Sequence, residues 1–121
     1  MAPQRVLVVD EERSARQALG ELLADEGYAV ETARDASDAL AKAAEFLPDL
    51  VLTDVVLPGM PGDMLARRLH ETTPELPVIA MSTREFSHRS RGDGFCDQLA
   101  KPLQLAQVLG AIRRALDVPA R

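Results

Sequence analysis

Asp54 closes the apolar run Leu50-Val51-Leu52-Thr53, and Asp10-Glu11-Glu12 follows a second run, Val6-Leu7-Val8-Val9. If both runs are neighbouring parallel strands, three or four carboxylates converge on one rim. Acids gathered in this way repel one another. A bound divalent cation relieves that repulsion, and hard oxygen ligands suit Mg²⁺. Met81-Ser82-Thr83 and Lys101-Pro102 bring a hydroxyl and a cation to two further strand ends. An aspartate provided with a metal, a cation and a hydrogen-bond donor can attack a phosphoryl group and become an aspartyl phosphate. Taken singly, Asp54 reads as a turn residue after a strand and Ser82 as a turn hydroxyl. Their order and spacing together carry the signal.

Lys101 discriminates better than either. The chain uses twelve arginines and two lysines, Lys42 and Lys101. A compact ammonium meets one phosphate oxygen as a point charge, whereas a guanidinium is larger and planar. Lys42 reads as a residue of an exposed helix face, so a lysine alone proves nothing. His70 reads as a surface residue near a helix C-terminus, and His88 has no second ligand at metal spacing. The cluster Arg84, Arg89 and Arg91 reads as a solvated loop. No Gly-rich phosphate loop is present, so nucleotide binding has no support.

The elements that must hold these groups alternate. Arg5 to Val9 reads as a fully buried strand. Ala15, Ala18, Leu19, Leu22 and Leu23 fit one face of a helix that Gly27 stops. Tyr28 to Ala33 is a short strand, and Asp35 caps a second helix carrying Ala36, Ala39, Leu40, Ala43 and Leu47 on its inner face. Pro48-Asp49 turns into the strand that ends at Asp54. Gly62 to Glu71 is a third helix with Leu65 and Leu69 inward, and Pro77 to Met81 a fourth strand. Phe95 to Leu99 reads as a fifth strand, interrupted by Asp97 and Gln98. Leu105, Val108, Leu109, Ile112 and Leu116 mark a final helix. Alternation of this kind implies right-handed crossovers and a parallel sheet covered on both faces. Residues 84–93 break the pattern: Phe86 is their only apolar side chain, so a helix there has almost no face to bury.

Composition bounds the rest. The 121 residues suggest one domain, 1–121, with an ordered core of about 4–117 and a frayed end. Hydrophobic residues make up 46% and aromatic ones only 3%, so the core must be aliphatic. A net charge of −5 argues against nucleic acid as the main partner. No apolar stretch is long enough to span a membrane. Cys96 is the only cysteine, which excludes an internal disulfide and makes a reducing cytoplasm the simplest home; it reads as a small, partly buried residue.

Taken together, Val8-Val9-Asp10-Glu11-Glu12, the run from Pro48 through Asp54 to Gly62, Pro77-Val78-Ile79-Ala80-Met81-Ser82 and Leu99-Ala100-Lys101-Pro102 resemble the receiver domain of two-component response regulators. The resemblance spans the chain. It implies a flavodoxin-like, doubly wound five-stranded parallel sheet of order 2-1-3-4-5, here with a degraded fourth helix. It implies Asp54 as phosphoacceptor, with Ser82 and Lys101 contacting the phosphoryl group. It implies Glu11, Asp54 and the Val56 carbonyl as direct Mg²⁺ ligands, with Asp10 assisting and Mn²⁺ as a substitute ion. The donor would be a phosphohistidine on a sensor histidine kinase or a histidine phosphotransfer protein, and the receiver would catalyse both transfer and its own slow dephosphorylation. Output would pass to a downstream protein by contact, with neither nucleic acid nor membrane as partner. The Lys101–Pro102 bond is expected to be cis.

Four positions depart from the family pattern. Glu11 stands where Asp is commoner, and Thr83 where Ala or Gly is usual. Gln98 replaces an aromatic that swings inward on activation. Residues 84–94 are expected to be irregular or at most a short helix. The alternative to a phosphoacceptor is an interaction module with a receiver fold that works without phosphorylation. A third class, a metal-dependent hydrolase with an Asp nucleophile, would need a general acid beside Asp54 and a substrate cap; Val56 at that approach and the short chain argue against it.

Overall fold

The computed structural model describes residues 2–83 and 94–117. Elements run β1 (Arg5–Val9), α1 (Arg13–Asp25), β2 (Ala29–Ala33), α2 (Ala36–Phe46), β3 (Leu50–Asp54), α3 (Gly62–Thr72), β4 (Val78–Ser82), β5 (Asp97–Ala100) and α4 (Leu105–Asp117). The five strands form one parallel sheet in the order β2-β1-β3-β4-β5. This is the doubly wound order expected from the sequence. The chain winds outward from β1 in one direction and from β3 in the other, so a crevice opens between their carboxyl ends.

Period-two alternation sends side chains to opposite faces. Val6, Val8, Leu50, Leu52, Ile79 and Met81 meet Leu19, Leu23, Val108 and Ile112, from α1 and α4. Leu7, Val9, Val51 and Val78 meet Ala36, Ala39, Leu65 and Leu69, from α2 and α3. Every residue of β3 is buried. An aliphatic side chain fully withdrawn from water contributes about 1.5–3 kcal/mol, so the near absence of aromatics does not weaken this core.

Local signals explain the ends. The Asp35 carboxylate accepts the Asp38 N–H at 2.8 Å and caps α2. Gly27, at φ +102°, takes the left-handed turn after α1. The strands differ from expectation at their edges: β4 runs one residue further, through Ser82, and β5 is Asp97–Ala100 rather than 95–99. The register explains the second shift, because Asp97 pairs with Ile79 and Ala100 with Ser82. Ladder pairing overrides the polarity of Asp97 and Gln98, which sit on the half-covered outer strand.

Two residues sit differently from what their local pattern suggests, Leu47 exposed and Lys42 half-exposed but tied down. Leu47 is not on the inner face of α2. It is the C-cap residue, left-handed at φ 54°, with 63% of its surface exposed. Lys42 does not wave in solvent. Its ammonium donates to the Thr32 carbonyl at 2.6 Å and lies 3.4 Å from Asp38, tying α2 to the outer strand β2. Cys96 is exposed rather than partly buried. The expectations of a degraded helix and an irregular 84–94 segment lie outside the described residues, apart from Gly94.

Candidate functional site

The register brings the chemistry together. Val9 pairs with Thr53, so the next residues, Asp10 and Asp54, emerge side by side at the carboxyl ends of β1 and β3. Ser82 pairs with Ala100, and the Lys101 N–H donates to the Ser82 carbonyl at 2.7 Å. Lys101 therefore leaves β5 at the same rim, and its bond to Pro102 is cis, as expected.

The Lys101 ammonium reaches two carboxylates. It donates to Asp10 Oδ2 at 3.0 Å and lies 2.6 Å from Asp54 Oδ1. Both acids are buried, Asp10 at 3% exposure and Asp54 at 9%. The contact to Asp54 is an ion pair without hydrogen-bond angles, and Asp54 Oδ1 accepts no directed hydrogen bond. Burial is the largest influence on Asp54 and pushes its pKa up, Lys101 opposes it, and Asp10 adds to it; the outcome is about 6. Burial alone would lower Lys101, but the two carboxylates beside it, Asp54 and Asp10, win, and its pKa is raised.

Asp10 is held on every side. Its N–H donates to the Ala33 carbonyl at 3.1 Å, and its Oδ1 accepts the Glu12 N–H at 2.9 Å. On the far side of Asp54, the Val55 N–H donates to Met81 and the Gly62 N–H to Val55 at 2.7 Å, which folds the loop back onto the strand end. A cavity of about 140 Å³ opens above Asp54, bordered by Val56, Ser82, Thr83 and Lys101. At about 30 Å³ per water this is room for about five waters, enough for a phosphoryl group.

The structure thus joins Asp10, Asp54 and Lys101 directly and sets Ser82 and Val56 around the same cavity. Glu11 and Glu12, which follow Asp10 in the chain, are exposed, so of the four acids Asp10 and Asp54 are the buried pair. Among the described residues no three His, Cys, Asp or Glu side chains are placed together so as to hold a metal ion. The sequence reading passed over Arg16, whose guanidinium donates to the Asp10 carbonyl at 2.9 Å. Nothing in its local pattern marks an arginine that folds back over the start of its own helix. Gln98 is exposed on β5, and His70 meets the Leu76 carbonyl at 2.8 Å, a structural contact between α3 and the turn before β4.

A buried Asp at a strand end, paired with Lys101 at the switch point of a 2-1-3-4-5 sheet, defines a receiver. The sequence profile of the response regulator receiver domain matches residues 6–113, and the chain belongs to that family. It is 38% identical over 117 residues to the response regulator MprA of Mycolicibacterium vanbaalenii, covering 94% of this chain and 51% of that protein. MprA of Mycobacterium leprae is 36% identical over 115 residues, covering 93% of this chain and 50% of that protein. The chain thus spans about half the length of these relatives. Among solved structures, the chemotaxis protein CheY4 of Vibrio cholerae superposes with a TM-score of 0.89 at 32% identity, covering 95% of this chain and all of that one. The signal receiver domain of an HD domain-containing protein from Pseudomonas fluorescens gives 0.85 at 30% identity, covering 97% and 89%.

Proposed function

We propose that this receiver is a phosphoacceptor that takes a phosphoryl group onto Asp54 from a phosphohistidine of a sensor histidine kinase or histidine phosphotransfer protein. In the transfer, an Asp54 carboxylate oxygen forms a bond to phosphorus as the bond from phosphorus to the donor imidazole breaks. The imidazole keeps the electron pair of that bond and is protonated as it leaves. The single observation that carries the reading is the Lys101 ammonium held between Asp54 and Asp10. That arrangement keeps Asp54 ionised in a buried place and sets a cation beside the incoming oxygens.

Two observations support a hard divalent cation at this rim, with two acid side chains, a backbone carbonyl and water as its donors. Asp54 Oδ1 is buried without a directed hydrogen bond, and two buried acids share one ammonium. Asp10, Glu11, Asp54 and the Val56 carbonyl would hold Mg²⁺, or Mn²⁺ in its place. When bound, the ion neutralises charge on the acids and on the phosphoryl oxygens. Lys101 takes one phosphoryl oxygen and Ser82, at the cavity edge, another. Val56, 79% exposed at the approach, presents only methyl groups.

The phosphorylated form would act on a downstream protein by contact, in the cytoplasm. No helix among the described residues is long and apolar enough to cross a membrane. A second reading, a receiver-like interaction module that works without phosphorylation, rests on Gln98, exposed on β5 where an aromatic switch is usual. Incubation with Mg²⁺ and acetyl phosphate, followed by intact-mass measurement, separates the two. The phosphoacceptor reading expects one phosphoryl adduct in wild type and none in Asp54→Asn. Equal adducts in both, or none in wild type even with a competent kinase, would overturn it.

A further inference from the structure

Arg16 closes the first turn of α1, with its own N–H bonded to the Glu12 carbonyl at 2.9 Å. Its side chain turns back along the helix toward the loop that leaves β1. Nη1 donates to the Asp10 carbonyl at 2.9 Å and stands 3.4 Å from the Glu11 carbonyl. These two oxygens belong to consecutive peptide planes, one on each side of the Glu11 Cα. A peptide unit is rigid, so fixing both planes fixes φ and ψ of the residue between them and the direction of its Cα–Cβ bond. The same loop is already anchored at Asp10, whose Oδ1 holds the Glu12 N–H and whose Oδ2 holds Lys101. Glu11 and Glu12 are both exposed, but only Glu11 lies between the two peptide planes that Arg16 touches.

We propose that Arg16 is a positioning residue of the acid loop, clamping the peptide planes around Glu11 so that its carboxylate is presented to the divalent cation. The inference rests on the phosphoacceptor reading above. A glutamate has one more rotatable bond than an aspartate, so more freedom must be removed to aim its carboxylate. A fixed backbone removes the part of that freedom the side chain cannot. One guanidinium nitrogen, Nη1, meets both carbonyls and ties the two planes to a single point.

Charge and clamping predict opposite signs. If the guanidinium acted only through its charge, removing it would tighten Mg²⁺ binding, because like charges repel. If it acts as a clamp, removing it weakens binding. Mg²⁺ dissociation constants are therefore measured by calorimetry on wild type, Arg16→Gln, Arg16→Lys, Glu11→Gln and the Arg16→Gln/Glu11→Gln double variant. Arg16→Gln is expected to weaken binding about tenfold, the lower end of what the loss of an outer-shell partner of a metal ligand causes. Arg16→Lys should lose less.

With Glu11→Gln already in place, adding Arg16→Gln should cost under about threefold, because the clamp then has no carboxylate to aim. Thermal melting without metal reports any general loss of folding separately. Should Arg16→Gln be too unstable to titrate, Arg16→Lys compared in both Glu11 backgrounds decides the same point. Binding in Arg16→Gln as tight as wild type or tighter, or an equal loss in both backgrounds, overturns the proposal. Wild type that takes no Mg²⁺ would instead bring down the phosphoacceptor reading beneath it.

Discussion

Gly62 packs directly on Asp54: a Cβ at position 62 would overlap the Asp54 carbonyl oxygen and stand 3.0 Å from the Val55 Cα. Both neighbours are backbone, so neither can rotate away. The start of α3 and the acceptor strand are thus joined with no room for a side chain.

Gly62→Ala must therefore push α3 off the end of β3 or bend the loop that carries Val55 and Val56. Overpacking of this kind costs about 1–3 kcal/mol. Urea unfolding should show that loss, and phosphorylation by acetyl phosphate should fall with it because Asp54 moves. Unchanged stability and an unchanged rate would mean that the strand end is softer than its contacts imply.

The raised pKa of Asp54 sets the sign of a pH effect. Its folded value, about 6, lies above the ordinary 3.8. Between the two, the folded state binds more protons than the unfolded chain, so stability falls as pH rises through this window. Above about pH 6 the full penalty remains. Asp54→Asn removes it, and the metal-free variant should be more stable than wild type at pH 7.5, by on the order of 1–3 kcal/mol. At pH 4 the difference should be close to nothing. Chemical denaturation at the two pH values checks this; a variant less stable than wild type at pH 7.5 would contradict it.

Hydrolysis of the aspartyl phosphate needs a water in line with the bond between Asp54 and phosphorus. Val56 gives such a water no hydrogen bond, and Thr83 is exposed at the same cavity. Slow loss of the phosphoryl group is expected, and Val56→Asn should speed it several-fold. Decay of the adduct followed by mass after removal of the donor measures both. A lifetime that lengthens in Val56→Asn would refute the argument.

Leu47 offers a test remote from the site. A non-glycine residue in the left-handed region costs roughly 1–2 kcal/mol, and Leu47 is exposed there at φ 54°. Its carbonyl accepts the Arg5 side chain at 2.9 Å through the backbone, which a substitution keeps. Leu47→Gly should raise the unfolding midpoint or leave it unchanged, the relief of strain outweighing the lost apolar contact. A marked fall would show that the side chain packs more than its exposure indicates.

A parallel sheet was legible because buried parallel strands write themselves as unbroken apolar runs, whereas its order, and with it the meeting of Asp10, Asp54 and Lys101, followed only from the resemblance to receiver domains. Leu47 was misread because helical periodicity continues past the point where the backbone turns. Lys42 was misread because a long side chain can cross to a strand edge that local pattern does not contain. Phe95 and Cys96 looked more strand-like than Ala100, yet pairing with β4 set the ends of β5. Arg16 gave no signal at all, since its partners are backbone carbonyls and carbonyls have no letter in a sequence.

Among the described residues, one ammonium serves the two buried carboxylates of the rim, so their negative charge is not fully matched there. A phosphoryl donor is itself an anion, and it would approach uphill against that surplus. On the phosphoacceptor reading, Asp10, Glu11 and Asp54 would hold a divalent ion that offsets this charge, so the anionic donor would meet less repulsion at a loaded rim than at a bare one. Cellular magnesium would then ease the arrival of the signal, not serve as a passive ingredient of it.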